Sequence, residues 1–185
     1  MIREVVVTTI NERGEPHIAP LGIIEERGGW IIAPFRPSTT LDNLVSVPFA
    51  VVNYIDDARV FAGLVTGRRD WPLELGASGW PPRLAAALAH AELRVVEFED
   101  HKERPRFHCR IERSQNHAPF QGLNRAANAV LEGAILITRL RLLPREKIDA
   151  EIAYLKIAID KTAGPAEREA WDWLIEARDK FYDLK

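Results

Sequence analysis

The sequence predicts an α+β protein, an antiparallel sheet in its first two thirds followed by a helical tail. Two observations predict it. Short β-branched and apolar runs in the first 55 residues are separated by turns too tight for crossover connections, which makes an antiparallel meander. From about residue 123 onward, apolar residues recur at three- and four-residue steps, the spacing of one helix face. No internal repeat or low-complexity tract interrupts this order, so the sheet precedes the helices in one chain.

The first strand is Val5-Val6-Val7-Thr8-Thr9-Ile10, too short to make a convincing helix. Asn11 to Gly14 supplies a turn, with Gly14 free to take positive φ. His17 to Ile24 is the second apolar segment, and Pro20 sets it at an edge or a bulge. Glu25 to Gly29 turns the chain again, and Trp30 to Phe35 forms a third strand. Phe49 to Ile55 follows a short helix as the fourth. Asp56 and Asp57 are placed to cap a helix carrying Val60, Phe61 and Leu64.

Gly67 to Pro82 holds three glycines, three prolines and two tryptophans, Trp71 and Trp80, and reads as a loop. Loops of this length are often functional, as lids or dimer arms, and this one reads equally as a surface excursion pinned by its two tryptophans. A short Ala/Leu helix is expected from Arg83 to His90. Two strands then follow. Leu93 and Val95 belong to one, while Phe107, Cys109 and Ile111 alternate on the other. The charged stretch Glu99 to Arg106 joins them.

Leu123 to Leu142 is apolar on nearly every side between Ala126 and Thr138, so that helix is expected to be buried on several faces. Pro144 ends it. Ile148, Ile152, Leu155 and Ile159 mark one amphipathic helix. Gly164 and Pro165 start the last one, with its stripe of Trp171, Leu174, Ile175, Arg178 and Phe181. The expected division is a sheet domain over residues 1–120 and a helical subdomain over 121–185.

Composition excludes several classes of function. The chain has 185 residues, 46% of them hydrophobic and 28% charged, with a net charge of −2. A chain of that length buries roughly 70% of its unfolded surface and needs no staple. That net charge, with Lys and Arg scattered among Asp and Glu, argues against nucleic acid, whose electrostatic footprint is a basic face. The single cysteine, Cys109, excludes an internal disulfide and any cysteine-based zinc cluster. No apolar run reaches the ~18 residues of a membrane span, and Met1-Ile2-Arg3 leads straight into a strand. The expected compartment is the cytoplasm. His17, His90, His101, His108 and His117 show no one-turn metal spacing, so no metal site is expected. No GxSxG elbow or Rossmann glycine fingerprint is present.

One stretch concentrates polar donors. Phe35-Arg36-Pro37-Ser38-Thr39-Thr40-Leu41-Asp42-Asn43-Leu44 stands between the third strand and the first helix. Thr39 and Asp42 approximate a capping box, with Asp in place of Glu. Arg36 beside Ser38 and Thr40 exceeds what a cap needs. Helix-start amides, hydroxyls and a forked guanidinium together suit a phosphate monoester, although Asp42 repels one unless it points away.

In serial order, Thr8-Thr9-Ile10-Asn11-Glu12, Gly14, Pro16-His17-Ile18-Ala19-Pro20-Leu21-Gly22, the Phe35–Leu44 stretch, Ala50 to Asp57, and Asn124-Arg125-Ala126 through Glu132 to Thr138-Arg139-Leu140 resemble the flavin-binding split-barrel superfamily. Pyridoxamine phosphate oxidases and flavin reductases are its best-known branches. Within it, the chain resembles an uncharacterised family of FMN-binding split-barrel proteins with a helical C-terminal part. The resemblance covers most of the chain and is weakest from Gly67 to Pro119.

The resemblance implies an antiparallel split β-barrel of the FMN-binding type, a homodimer with FMN at the subunit interface, and a flavin-dependent oxidoreductase acting on a small molecule. It implies that Arg36, Ser38, Thr39 and Thr40 hold the phosphate. Asn43 and Asn53 would reach the ribityl chain or the ring edge, and Asn124 with Arg125 would contact the flavin or substrate from the partner subunit. Asn53 also reads as strand-end turn chemistry, and Asn124 as a plain helix cap. No residue declares itself a catalytic acid or base, and His17 is the titratable group best placed to relay a proton. Two alternatives stay open: a flavin carrier or sensor without turnover, and a dimeric interaction module whose flavin site has decayed.

Overall fold

The computed structural model describes residues 1–26, 28–76 and 79–184. Arg27 in the second predicted turn, and Ala77 and Ser78 in the predicted loop, lie outside the described residues. The chain divides into two compact units, Met1–Ile55 with Trp71–Pro119, and Asp56–Asp70 with Phe120–Lys185.

The first unit is a closed antiparallel barrel. Its strands are β1 (Ile2–Ile10), β2 (Pro16–Glu26), β3 (Gly29–Ile32), β4 (Phe49–Tyr54), then β7 (Ala89–Glu99) and β8 (Arg106–Asn116), with β5 (Leu73–Glu74) and β6 (Arg83–Leu84) forming a separate two-stranded sheet. Around the barrel the order is β1-β2-β3-β8-β7-β4. The β1–β2 hairpin runs in register from Ile2 opposite Ile24 to Ile10 opposite Pro16. Its turn forms where Gly14 takes φ 79° and donates to Asn11 O at 2.9 Å, while Asn11 Oδ1 accepts from the amides of Arg13 and Glu15. Pro20 sits opposite Val6, and β3 pairs with β2 only at Ile24–Glu26. The missing amide of Pro20 therefore costs no ladder bond, because that side of β2 is locally an edge.

Alternation fills the interior. Val5, Val7, Ile23, Trp30, Ile32, Ala50, Val52, Ala91, Leu93, Phe107 and Cys109 form one core, joined by Leu41 and Leu44 from α1 (Thr39–Ser46). Burying each large aliphatic of that set contributes about 1.5–3 kcal/mol relative to leaving it in water.

Two expectations are corrected in this unit. Arg83 to His90 is not a helix. Arg83 and Leu84 pair with Glu74 and Leu73, Leu88 donates to Tyr54 O at 2.9 Å, and β7 starts at Ala89. Ladder bonds and burial override the helix preference of the alanines. The predicted loop accordingly ends in a β5–β6 hairpin. Ile111 is 38% exposed and does not share the burial of Phe107 and Cys109. Pairing between β3 and β8 stops at Cys109, so beyond it Ile111 lies on an uncovered edge.

The second unit holds α2 (Ala58–Val65), α3 (Arg125–Thr138), α4 (Arg145–Thr162) and α5 (Pro165–Asp183). Asp57 caps α2 by accepting from Arg59 N at 3.0 Å. α3 buries Ala126, Ala129, Val130, Gly133, Ala134, Leu136 and Ile137. It starts and stops inside the predicted Leu123–Leu142 span. On α4, Ile148, Ile152 and Ile159 are buried, and on α5 Ala170, Trp171 and Leu174. Gly133 allows α5 close, since a Cβ there would stand 3.0 Å from Leu174 Cδ1 and 3.2 Å from Trp171 Cζ3. Among the described residues, no helix is long and apolar enough to cross a membrane.

Gly29 tests the barrel directly. A Cβ on it would lie within contact-violating range of the Cys109 carbonyl oxygen, a backbone atom that cannot rotate away. Gly29→Ala is expected to push β3 from β8 and destabilise the protein by about 1–3 kcal/mol. Thermal unfolding should register a fall of ~2–4 °C per kcal/mol. An unchanged melting temperature would show that the β3–β8 contact has slack.

Candidate functional site

The loop from β3 to α1 is held from the β7–β8 turn. Ala33 O accepts two bonds from Arg104, from Nε at 3.1 Å and Nη2 at 2.8 Å. The same guanidinium stands over the Phe35 ring, 4.5 Å from its centroid. Arg36 N donates to Glu103 O at 2.9 Å, and Arg36 Nη2 pairs with Asp100 at 2.7 Å. The turn is itself braced by Glu99, whose carboxylate meets His101 at 3.3 Å and His108 at 2.8 Å. The hydrogen bond to His101, followed by that to His108 and the Arg106 charge, holds the Glu99 carboxyl below its ordinary range.

Next comes the helix start. The cap is Ser38 and not Thr39. Ser38 is extended, with φ −161°, and its Oγ accepts from Leu41 N at 3.3 Å. Thr39 is the first helical residue and is exposed, so the predicted Thr39/Asp42 capping box gives way to a serine cap one residue earlier. Asp42 points to solvent. The first-turn amides of Thr39 and Thr40 have no acceptor within the helix, as at any helix start. Arg36, Ser38 and Thr39 thus offer a guanidinium, two hydroxyls and open amides within four residues. That donor set fits a phosphate monoester. Thr40, only 3% exposed, turns its side chain inward.

The asparagines are placed differently. Asn43 is buried and donates to Thr9 Oγ1 at 3.0 Å, which ties α1 to β1. His17 occupies the β2 position opposite Thr9. Asn53 is fully buried, with Nδ2 donating to Val6 O at 3.1 Å and to Thr8 Oγ1 at 3.0 Å. Its Oδ1 accepts from Leu84 N at 2.7 Å, so both ends of the amide are engaged. Asn124 caps α3, accepting from Ala126 N at 2.7 Å and Ala127 N at 3.2 Å, while its Nδ2 donates to Thr162 O. Arg125 follows it as the first residue of α3. The structure gathers Arg36, Ser38, Thr39, Thr40 and Asn43 on one loop and helix, whereas Asn53 lies on β4 and Asn124 in the second unit.

Other groups are less reactive than their types suggest. Burial pushes the Cys109 thiol up to about 12, and its Sγ lies 3.4 Å from Phe107 O. It is a core thiol, neutral at physiological pH. Among the described residues no cluster of three or more His, Cys, Asp or Glu can hold a metal ion. Sequence reasoning missed Asp100, Glu103 and Arg104 as the supports of the loop. Asp100 is 64 residues from Arg36 and Arg104 is 71 from Ala33, and only the β3–β8 pairing brings them together.

Residues 3–118 match the family described as "Protein of unknown function (DUF447) N-terminal domain", and residues 124–176 match its companion "Protein of unknown function (DUF447)". The chain belongs to the DUF447 family. No curated protein matches it. Among solved structures it is similar to FMN-bound protein MM1853 from Methanosarcina mazei, of the same family, at 23% identity and a TM-score of 0.83, over 95% of this chain and 94% of that one. It is also similar to the NADH:FAD oxidoreductase SgcE6 of Streptomyces globisporus C-1027, at 15% identity and TM-score 0.52, over 62% of this chain and 75% of that one. An FMN-binding protein from Thermus thermophilus with bound p-hydroxybenzaldehyde matches at 17% identity and TM-score 0.54, over 65% of this chain and 74% of that one. At these identities the likeness establishes the fold: a six-stranded antiparallel barrel with C-terminal helices, of the split-barrel type.

The Asn53 network gives a test independent of any ligand. Asn53→Ala leaves the buried amide of Leu84 without an acceptor, which costs about 1–3 kcal/mol. Hydrogen exchange at the Leu84 amide should accelerate strongly. Exchange at wild-type rates would mean that the β5–β6 hairpin does not depend on this bond.

Proposed function

We propose that this DUF447 protein binds flavin mononucleotide, with the phosphate at the start of α1, and works as a homodimeric flavin-dependent oxidoreductase on a small molecule. The observation that carries the reading is the presence of Arg36, Ser38 and Thr39 within four residues at one exposed helix start. A family relative described as FMN-bound, and neighbours described as flavin oxidoreductases, support the same reading.

The chain's own residues would divide the work. Ser38 Oγ, Thr39 Oγ1 and the first-turn amides donate to the phosphate oxygens, and the partial positive charge of the helix start favours the anion. Arg36 adds a charge-assisted bond by turning from Asp100, whose side chain is 71% exposed and readily solvated on its own. Arg104 and Glu103 keep the loop in register while Arg36 moves. Thr40, Asn43, Asn53 and Asn124 act from behind, fixing α1, the barrel wall and α3. When bound, FMN supplies hydride chemistry, and the protein positions it and tunes its electronics. His17, beside Thr9, is the imidazole to test as a proton relay.

Dimerisation has its own support. Tyr154 and Ile157 on α4 line a cavity of about 400 Å³ with α3 and are 74% and 46% exposed. Exposed apolar groups of this kind mark contact surfaces. Light scattering at micromolar concentration should return about twice the 20.9 kDa of one chain. A stable monomer would overturn the dimer.

Phosphate binding is separable from helix capping. Arg36 precedes the cap, so Arg36→Ala should leave helix stability nearly unchanged. Loss of a bond worth about 1.5–3 kcal/mol lowers FMN affinity by roughly 10- to 150-fold. Riboflavin lacks the phosphate and should bind wild type and variant alike. Paired fluorescence titrations decide the matter. Equal weakening of both flavins would remove Arg36 from the phosphate site, and no flavin binding by wild type would remove the proposal.

A further inference from the structure

The β5–β6 hairpin lies over ionisable groups that the flavin reading leaves unused. A cavity of about 310 Å³ is lined by Gly76 and Arg83 on the hairpin side and by His90, Glu92, Arg113 and Gln115 on β7 and β8. That volume is at the lower end of the range for small-molecule sites. His90 and Glu92 are only 5% and 4% exposed. The chain passes close above, because a Cβ on Gly76 would stand 3.7 Å from Glu92 Oε1.

Among the described residues, the nearest countercharge available to Glu92 is His90, whose Nε2 lies 3.7 Å from Oε1, beyond hydrogen-bond length. That imidazole is already committed at its other end. His90 Nδ1 and His117 Nε2 are 2.7 Å apart, and the rings stack at 5.0 Å with 6° between planes. Burial first, then repulsion by a charged His117, push the His90 pKa below 6.5, against the opposing pull of Glu92. Burial and then Arg83 lower His117 likewise. Both shifts favour the neutral imidazoles, and among the described residues no cation stands within hydrogen-bond distance of the buried Glu92 carboxyl. Such a group is costly unless something positive completes it.

Arg83 does not complete it. Its guanidinium pairs closely with Glu74 and donates to Leu84 O at 3.0 Å. The described residues hold no group of three or more His, Cys, Asp or Glu that could take a metal ion. The buried acceptors suit a protonated nitrogen on an organic molecule. Arg113, bonded through Nη2 to Gln115 Oε1 at 3.0 Å, retains further donors at the same cavity. The site therefore presents acceptors at its buried end and donors at its rim.

We propose that this cavity binds a small organic zwitterion, its protonated nitrogen between Glu92 and His90 and its anionic end on Arg113 and Gln115. In the tautomer in which His90 Nδ1 donates to His117 Nε2, His90 Nε2 accepts from the bound nitrogen, and acidification should weaken binding as the pair takes up a proton. The charged groups facing the pair are Glu74 from β5, Arg83 from β6, Glu92 on β7 and Arg113 from β8.

The probe is 4-aminobutyrate, with butylammonium and butyrate as single-charge controls. NMR of the full chain labelled at histidine nitrogens follows the His90 and His117 signals at pH 7.5. The zwitterion should shift both saturably, and each control should bind at least ~10-fold more weakly, the size of one lost charge contact. Glu92→Gln should abolish the response. Arg113→Ala changes an exposed residue and leaves the core intact, so it stands even if the Glu92 variant misfolds. It should reduce 4-aminobutyrate to the level of butylammonium and leave butylammonium unchanged. Absence of saturable shifts, equal binding of the three probes, or undiminished zwitterion binding by Arg113→Ala would each overturn the proposal.

Discussion

Everything in the first unit depends on closing the barrel between β1 and β4. That seam is short, only Val6–Thr8 against Val51–Asn53. A three-residue ladder offers few backbone bonds, and an open edge here would leave amides unpaired. Asn53 reinforces it. Its side-chain amide reaches across to Val6 O and Thr8 Oγ1, adding cross-strand bonds at the end of the ladder. The same side chain takes the Leu84 amide, so seam and β5–β6 hairpin are fastened by one residue.

Closure then dictates where functional groups stand. With β1 fixed against β4, Thr9 meets Asn43, and α1 settles with Leu41 and Leu44 in the barrel core. The start of that helix must face outward at the loop after β3. On the other side, β3 pairs with β8 from Trp30–Cys109 to Ile32–Phe107, which brings the β7–β8 turn beside the same loop. Arg104 and Glu103 can pin the loop only because this register is set. The position of Arg36 is thus a consequence of strand pairing far away in sequence.

This separates what the sequence discloses from what it conceals. The β1–β2 hairpin was legible because Gly14 and Asn11 act within five residues, and β-branched residues mark the strand locally. The caps at Asp57 and Asn124 and the stripes Ile148–Ile152–Ile159 and Trp171–Leu174 were legible for the same reason. Arg83 to His90 misled, because alanines favour helix until Asn53, Tyr54 and Leu73 claim their neighbours' amides and side chains. At the site, the donor cluster was visible as a string of residue types. Its support was not, since Asp100 and Arg104 bear on it only through the β3–β8 register. The His90–His117 pair was equally hidden, two isolated histidines 27 residues apart joined by the antiparallel β7–β8 ladder.

The serine cap changes the argument about the loop. If Thr39 were the cap, its hydroxyl oxygen would accept from the helix and leave only its proton to offer outward. With Ser38 capping, Thr39 stands exposed in the first turn, its hydroxyl not needed by the cap. A hydroxyl that accepts from Leu41 can still donate its own proton to an oxygen outside. Capping would therefore not preclude the phosphate contact proposed for Ser38. The Arg36–Asp100 pair completes this logic. The exposed carboxylate of Asp100 neutralises Arg36 in the absence of a ligand and remains easy to displace. The loop is held without a ligand by Arg104, Glu103 and Asp100, and the phosphate contact proposed above would require only Arg36 to turn away.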